Sequence, residues 1–294
     1  MNPIENAKDW SENKSFDKET QIEVKRILEK NDHVEIEDCF GSFLEFGTGG
    51  LRGIMGVGTN RINNYTIQMV TEGLSRIIEN SLISPKKNSV VIGYDSRNNS
   101  FDFAKKTCEV LLAHGLKVYL FRDIAPTPLV SCEILRIRAI CGIIITASHN
   151  PPEYNGYKVY WENGGQIVPP IDRQIIDEVK KIKGFDEVKK IPFDKAQNNK
   201  NFYWVDSESD QHYLDSVRSL SLGNKEQNKN LGIVFSPLHG TGGRLVPKLL
   251  KLQGFSKVKE VSEQMQPDGN FSTLLSPNPE EISSYKMSIN TADK

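Results

Sequence analysis

Between Tyr65 and Ile182 the chain alternates two hydrophobic periods, and few architectures accept that pattern. Ile67, Val70, Leu74, Ile77 and Ile78 recur at helical spacing after Tyr65. Ser89-Val90-Val91-Ile92-Gly93 is a strand-like run. Ala104, Cys108, Leu111 and Leu112 share a helical face that Gly115 is placed to stop, and Lys117–Phe121 reads as a strand. Thr127-Pro128 suits the cap and first turn of a helix running to about Arg136. A β-branched strand run, Ala139–Ile145, follows. Ile171, Ile175, Ile176, Val179 and Ile182 then form a last helical face. Strand and helix in alternation specify an α/β layer with a largely parallel sheet, because parallel neighbours need a crossover and a helix supplies it.

A length of 294 residues predicts two domains. Residues 1–38 are polar and charged and read as an N-terminal helical extension, with a helix around Thr20–Lys30. The first α/β domain is expected over 39–190. Lys-rich and Asn-rich stretches over 184–205 show little periodicity and mark the boundary. A second α/β unit is expected over 205–276. It has a helix near Asp210–Leu220, a strand at Leu231–Phe235, a helix near Leu245–Leu252 and a short strand near Lys257–Val261. The stretch from Gln266 to Glu280 is a turn-rich connector, and 277–294 is read as the start of a further, truncated domain.

Lys and Arg total 37 against 38 Asp and Glu, so the formal net charge is -1 and no basic excess points to nucleic acid. No apolar stretch approaches a membrane span and the N-terminus carries no signal pattern. Four scattered cysteines, three of them among apolar neighbours, read as reduced core thiols, and a cytoplasmic location is expected.

Four segments carry candidate chemistry. The strand Ala139–Ile145 ends in Thr146-Ala147-Ser148-His149-Asn150-Pro151, and a cation, Lys158, returns soon after. A serine just past a buried strand is held firmly yet reaches solvent. Turn capping is the commonest role for a loop serine. A serine hydrolase fits poorly, because there is no Gly-x-Ser-x-Gly elbow. Phe46-Gly47-Thr48-Gly49-Gly50-Leu51-Arg52-Gly53 lets backbone approach a ligand closely, and a guanidinium there can bond a phosphate twice. Gly93-Tyr94-Asp95-Ser96-Arg97, with Ser100, lies at a strand's carboxyl end and reads as an Asp/Ser helix cap with an arginine packing nearby. Ser236-Pro237-Leu238-His239-Gly240-Thr241-Gly242-Gly243 joins strand to helix, where backbone amides can bind anions.

The serine segment, continued through Tyr154-Asn155-Gly156-Tyr157-Lys158, resembles the active-site loop of the α-D-phosphohexomutases, the phosphoglucomutase/phosphomannomutase family. The Gly-rich segment with Arg52 resembles the family's N-terminal loop. Its extension through Arg61 is similar to the branch with phosphoglucomutases and phosphopentomutases. The resemblance implies three-layer α/β/α domains with mixed, largely parallel sheets, of which the chain holds the first two of four. It implies that Ser148 is the phosphoserine and that Lys158 assists proton transfer. Arg52 would bind the transferring phosphoryl group, with Thr48 and Asn150 as further phosphate contacts. His149 would orient the loop or act directly, and His239 would lie at or behind the phosphate site.

The resemblance also implies a Mg2+ ion bound through the phosphate on Ser148, a sugar phosphate substrate, and a sugar bisphosphate as activator and intermediate. The family's Asp-x-Asp-x-Asp-Arg metal loop has no match here, since no Asp-x-Asp occurs in the chain. The sugar-recognition loop and the remote-phosphate loop are also unmatched. The chain is therefore expected to be an incomplete N-terminal part whose partners are the family's C-terminal domains, inactive by itself. Glucose phosphate is the first expected substrate, ahead of mannose and pentose phosphates. A non-catalytic phosphate-binding or interaction module is the competing reading.

Overall fold

The structure is a computed structural model that describes residues 2–47, 50–81, 88–222 and 229–293. Three helices open it: α1 (Pro3–Glu12), α2 (Lys18–Lys30) and α3 (His33–Phe40). Each starts on a side-chain cap, from Asn2, Asp17 and Asp32 respectively. The polar sequence predicted only the second. The first and third form because Ala7, Trp10, Ile36, Cys39 and Phe40 bury against Phe16, Tyr65 and Phe185. Trp10 stacks on Phe16 at 4.3 Å between ring centroids, and Tyr65 meets Phe185 edge-on at 4.7 Å. The extension is thus packed onto the first α/β unit.

The first unit runs β1 (Phe46–Gly47), β2 (Gly50–Ile54), α4 (Asn64–Ser81), β3 (Ser89–Tyr94), α5 (Ser100–Ala113), β4 (Lys117–Phe121) and α6 (Thr127–Ile137). It continues with β5 (Cys141–Ile145), β6 (Tyr154–Trp161), α7 (Ile171–Lys180), α8 (Phe193–Ala196), β7 (Phe202–Val205) and α9 (Ser207–Ser219). The sheet order is β1-β2-β6-β5-β3-β4-β7. Its β5-β3-β4-β7 half is parallel, and β5-β6, β6-β2 and β2-β1 are antiparallel. The sheet is mixed, and the helix-linked strands are the parallel ones. Helices α4, α5 and α7 cover one face through Ile67, Leu74, Leu111 and Ile175, and α6 with α9 covers the other through Leu129, Ile134 and Leu214. All residues of β3 and β5 are buried, as strands sandwiched between two helix layers require.

Two features depart from the sequence reading. The run Tyr154–Trp161, read as a continuing loop, is a full strand. Its Tyr157 and Val159 join one core while Tyr160 joins the other, so the strand is buried on both faces and shows no simple alternation. Residues 202–205, within the stretch read as a boundary, form the edge strand β7 beside β4. That strand is not flagged by the polar residues around it, and its pairing is set by β4 and by Tyr203 stacking on Tyr119 at 4.8 Å.

The second unit holds β8 (Ile233–Phe235), α10 (Val246–Leu252), β9 (Val258–Glu260), α11 (Ser262–Met265) and α12 (Lys286–Ala292). Strands β8 and β9 pair in parallel. Helix α12 packs against β8. Cys39, Cys108 and Cys141 are buried, Cys132 is half-buried, and all four are free thiols.

Candidate active site around Ser148

Strand β5 ends at Ile145 and the chain returns as β6 from Tyr154, so residues 146–153 form an outward loop. Ser148 is exposed on it with φ 60, a left-handed conformation that costs a non-glycine residue roughly 1–2 kcal/mol. Local bonds hold part of the turn. The Ser148 amide donates to Thr146 Oγ1 at 2.9 Å, and the Asn150 amide donates to the Ala147 carbonyl at 3.2 Å.

Arg97 holds the rest. Its Nη1 donates to the carbonyls of Pro151 at 2.8 Å and Tyr154 at 3.0 Å. Its Nη2 donates to the carbonyls of Ser148 at 2.9 Å and Asn150 at 2.5 Å. The residue is 3 % exposed, so this is a buried cation clamped onto four main-chain oxygens. Asp95 neutralises it from the third edge, with Oδ2 3.4 Å from Nε. Asp95 accepts from the Arg97 amide at 3.0 Å and from Ser100 Oγ at 2.7 Å, and it is bonded to the Thr146 hydroxyl. Burial pushes the Asp95 carboxyl above its ordinary value, against these bonds and the Arg97 charge. A connected set Asp95–Thr146–Ser148 and Asp95–Arg97–Ser148 therefore fixes the serine from both sides.

Two cations come in on the neighbouring strands. Antiparallel pairing sets Arg52 of β2 opposite Gly156 of β6. A Cβ at Gly156 would lie 2.6 Å from the Leu51 carbonyl and 2.7 Å from that of Thr146, so only glycine lets these backbones close. Arg52 is exposed, and its Nη1 lies 3.4 Å from Asn150 Oδ1. Lys158, two residues beyond Gly156, projects on the same face of β6 and is half-buried. Burial pulls the Lys158 ammonium below its ordinary value; the Arg52 charge adds to this and Asp95 opposes it. His149 Nδ1 lies 3.4 Å from Ser148 Oγ. Ser148, His149 and Asn150 thus lie just beyond the end of β5, with Arg52 beside Asn150 and Lys158 on the adjoining strand opposite Ile144.

Thr48 lies outside the described residues. His239 does not join the group as an anion contact. It is 4 % exposed, and its ring nitrogens are engaged with the Gln266 carbonyl at 2.9 Å and Thr273 Oγ1 at 2.8 Å. It braces the loop that follows α11. The sequence reading missed Asn155 and Phe271. Asn155 is fully buried and donates to the Asn98 carbonyl at 3.1 Å and Ser100 Oγ at 2.9 Å, tying β6 to the Asp95 segment. Its place beside Gly156 was the available signal. For Phe271 the signal was an aromatic residue inside a Pro-Asp-Gly turn.

Among the described residues no cluster of three His, Cys, Asp or Glu side chains could hold a metal ion. The buried carboxylate beside the loop, Asp95, is engaged by Ser100, Thr146 and Arg97. The oxygen ligands Mg2+ requires are not assembled by these residues. Among the described residues no helix is long and apolar enough to cross a membrane.

Two family models match the chain. Phosphoglucomutase/phosphomannomutase, alpha/beta/alpha domain I, covers residues 44–185, and alpha/beta/alpha domain II covers residues 211–294. A phosphopentomutase of Pongo abelii is 35 % identical over 278 residues, covering 88 % of this chain and 43 % of that protein. A phosphoglucomutase of Staphylococcus epidermidis is 34 % identical over 270 residues, covering 92 % and 48 %. The solved structure of a Thermus thermophilus protein described as a phosphomannomutase superposes with a TM-score of 0.68 at 25 % identity, covering 85 % of this chain and 52 % of that one. The chain spans about half the length of the curated relatives it matches.

Proposed function

We propose, on the premise that the chain belongs to the phosphoglucomutase/phosphomannomutase family, that it carries the phosphoserine half of a sugar-phosphate mutase, with Ser148 as the residue that lends and recovers the phosphoryl group. The observation that carries this reading is the Arg97 clamp. It holds an exposed, left-handed serine rigidly in front of two cations, which is what in-line transfer from a fixed donor needs.

In the transfer step a sugar hydroxyl oxygen attacks the phosphorus of phosphoserine 148. The bond from phosphorus to Ser148 Oγ breaks, and that exposed oxygen takes a proton from solvent water. The proton of the attacking hydroxyl passes to the amine of Lys158, whose ammonium is easier to deprotonate than that of a free lysine. Arg52 offers its planar fork to the equatorial phosphoryl oxygens as charge builds there. Asn150, already beside Arg52, keeps the guanidinium turned toward the loop. His149, next to Ser148 Oγ, is placed to bond the phosphoryl group or the released hydroxyl.

A sugar bisphosphate is then the intermediate, and its reorientation returns the other phosphoryl group to Ser148. Glucose phosphate is the first substrate assigned, with mannose and pentose phosphates next; the relatives are a phosphopentomutase and a phosphoglucomutase.

The test is peptide mapping by mass spectrometry after incubation of the full-length protein with glucose 1,6-bisphosphate and Mg2+. One phosphate on Ser148 is expected, and none in Ser148→Ala. Phosphate only at another residue, or none at all, overturns the assignment.

A further inference from the structure

We propose that Phe271, in the second α/β unit, is a positioning residue for Ser148: it closes a flat face of the Arg97 guanidinium, so that docking of the 264–273 loop sets the geometry of the serine loop.

The edges of Arg97 leave little choice. All four terminal N–H groups go to carbonyls, three in the serine loop and one at Tyr154 where β6 begins, and Nε faces Asp95 without a hydrogen bond. Only the two π faces of the cation remain for a partner. The Phe271 ring lies 5.2 Å from Arg97 Cζ. An aromatic ring attracts a cation over its face, and it excludes water that would compete for the carbonyls. Phe271 is 6 % exposed and has φ 51, a conformation rare for a bulky residue and kept where surroundings over-determine it.

The surrounding loop does so here. Asp268 caps the turn, accepting from the Asn270 and Ser272 amides, each at 2.9 Å. A bond from the Ser272 hydroxyl, followed by the Ser272 and Asn270 amide bonds, holds the Asp268 carboxyl down at about 2. The amide of Leu274 donates to the Phe271 carbonyl at 2.8 Å. His239 fastens both ends of the loop, at Gln266 and Thr273. Asn98 Nδ2 donates to Asn270 Oδ1 at 2.8 Å, and a Cβ at Gly269 would come within 2.5 Å of the Asn98 amide nitrogen. The loop is therefore built to fit the Asp95–Asn99 segment, and Phe271 is the side chain it delivers. A second-unit loop thereby stabilises a first-unit catalytic loop through one shared arginine.

The effect on phosphoryl transfer rests on the reading of Ser148 given above; the mechanical coupling does not. Two measurements separate them. Hydrogen exchange is followed at the Ser148 and Asn150 amides, with Val91 and Ile92 of β3 as internal reference. Phosphate uptake at Ser148 from glucose 1,6-bisphosphate is followed alongside. Phe271→Ala is expected to speed exchange at both loop amides by at least about tenfold while the β3 amides keep their rates. Phe271→Tyr keeps the π face and is expected to stay within about twofold of wild type. Phe271→Leu keeps apolar bulk without a π face, guards against an unfolded alanine variant, and is expected to loosen the loop and slow phosphate uptake. Wild-type loop exchange in both Phe271→Ala and Phe271→Leu overturns the proposal. So does acceleration that is equal in the loop and β3. A loop loosened as expected in a protein that takes up no phosphate sinks the reading of Ser148 and leaves the coupling standing.

Discussion

Arg97 donates to the carbonyl oxygen of Ser148 itself, at 2.9 Å, to two further carbonyls of the same loop and to that of Tyr154, where β6 begins. The candidate phosphoryl carrier is thus held through its own main chain, and its hydroxyl, beside His149 Nδ1, stays outside the clamp.

Arg97→Lys keeps the charge but replaces a planar fork with one atom and three donors. At least one buried carbonyl loses its partner. Expected is a loss on the order of 1–3 kcal/mol in urea denaturation, with slower phosphate uptake at Ser148. A variant as stable as wild type would mean that water replaces the guanidinium without penalty.

Ser148→Ala removes a group that reaches solvent and fills no core. Its unfolding free energy should stay within about 0.5 kcal/mol of wild type while phosphate incorporation disappears. A large loss of stability would recast Ser148 as a structural turn residue.

Gly156→Ala drives a methyl group into the Leu51 and Thr146 carbonyls. β2 and β5 cannot both keep their register with β6. Destabilisation of about 1–3 kcal/mol is expected, together with a displaced Arg52. Unchanged stability, with a crystal structure of the variant showing Arg52 in place, would contradict the close-approach argument.

Arg52→Gln removes a like charge that pulls the Lys158 ammonium down. The Lys158 value should therefore rise toward that of an ordinary lysine. Amine acetylation followed against pH by mass spectrometry should show Lys158 reacting only at higher pH in the variant. A shift to lower pH, or none, would place Arg52 away from Lys158.

His114 is enclosed between Glu72, 2.8 Å from Nε2, and Glu79, 2.7 Å from Nδ1, and Arg76 binds the other oxygen of Glu72. Burial opposes the imidazolium, but the two carboxylates prevail and raise its value above the ordinary 6.5. Burial likewise opposes the Glu72 carboxylate, but His114, Arg76 and the Lys189 amide lower its value below the ordinary 4.5. The His114 contribution is complete below the unfolded histidine value and is lost as pH rises through the raised one. The Glu72 contribution is complete above the unfolded glutamate value and is lost as pH falls through the depressed one. His114→Gln should flatten the alkaline limb of a stability–pH curve. An unchanged limb would mean that the histidine is neutral in the fold.

The sequence alone carried most of the first unit. The helix of Ile67, Val70, Leu74 and Ile78 and the strands at 89, 117 and 141 appear where their periods placed them, because each buries a regular face. Strand β6 escaped notice because burial on both faces removes alternation and because a loop motif runs directly into it. β7 escaped because a short edge strand draws its stability from its neighbour. At the site, Ser148 stands out just past a strand end, and Arg52 and Lys158 stand out as single cations inside β2 and β6. The partnership of Arg97 with Phe271 joins residues far apart in the chain, and no local pattern announces such a contact.

The clamp on Ser148 reads carbonyl oxygens and is indifferent to which side chains hang from them. The clamp leaves the side chains of Ser148 and His149 out of its own bonding, while the Asn150 side chain meets Arg52. At 148 the side chain can be exchanged for another that the left-handed backbone tolerates while the backbone cradle persists. The loop is in this sense a socket: the arginine fixes the shape of the receptacle, and the chemistry plugged into it is a separate choice. Two enzymes sharing Arg97 and its carbonyl set could differ in the residue at 148 and still present it at the same point in space.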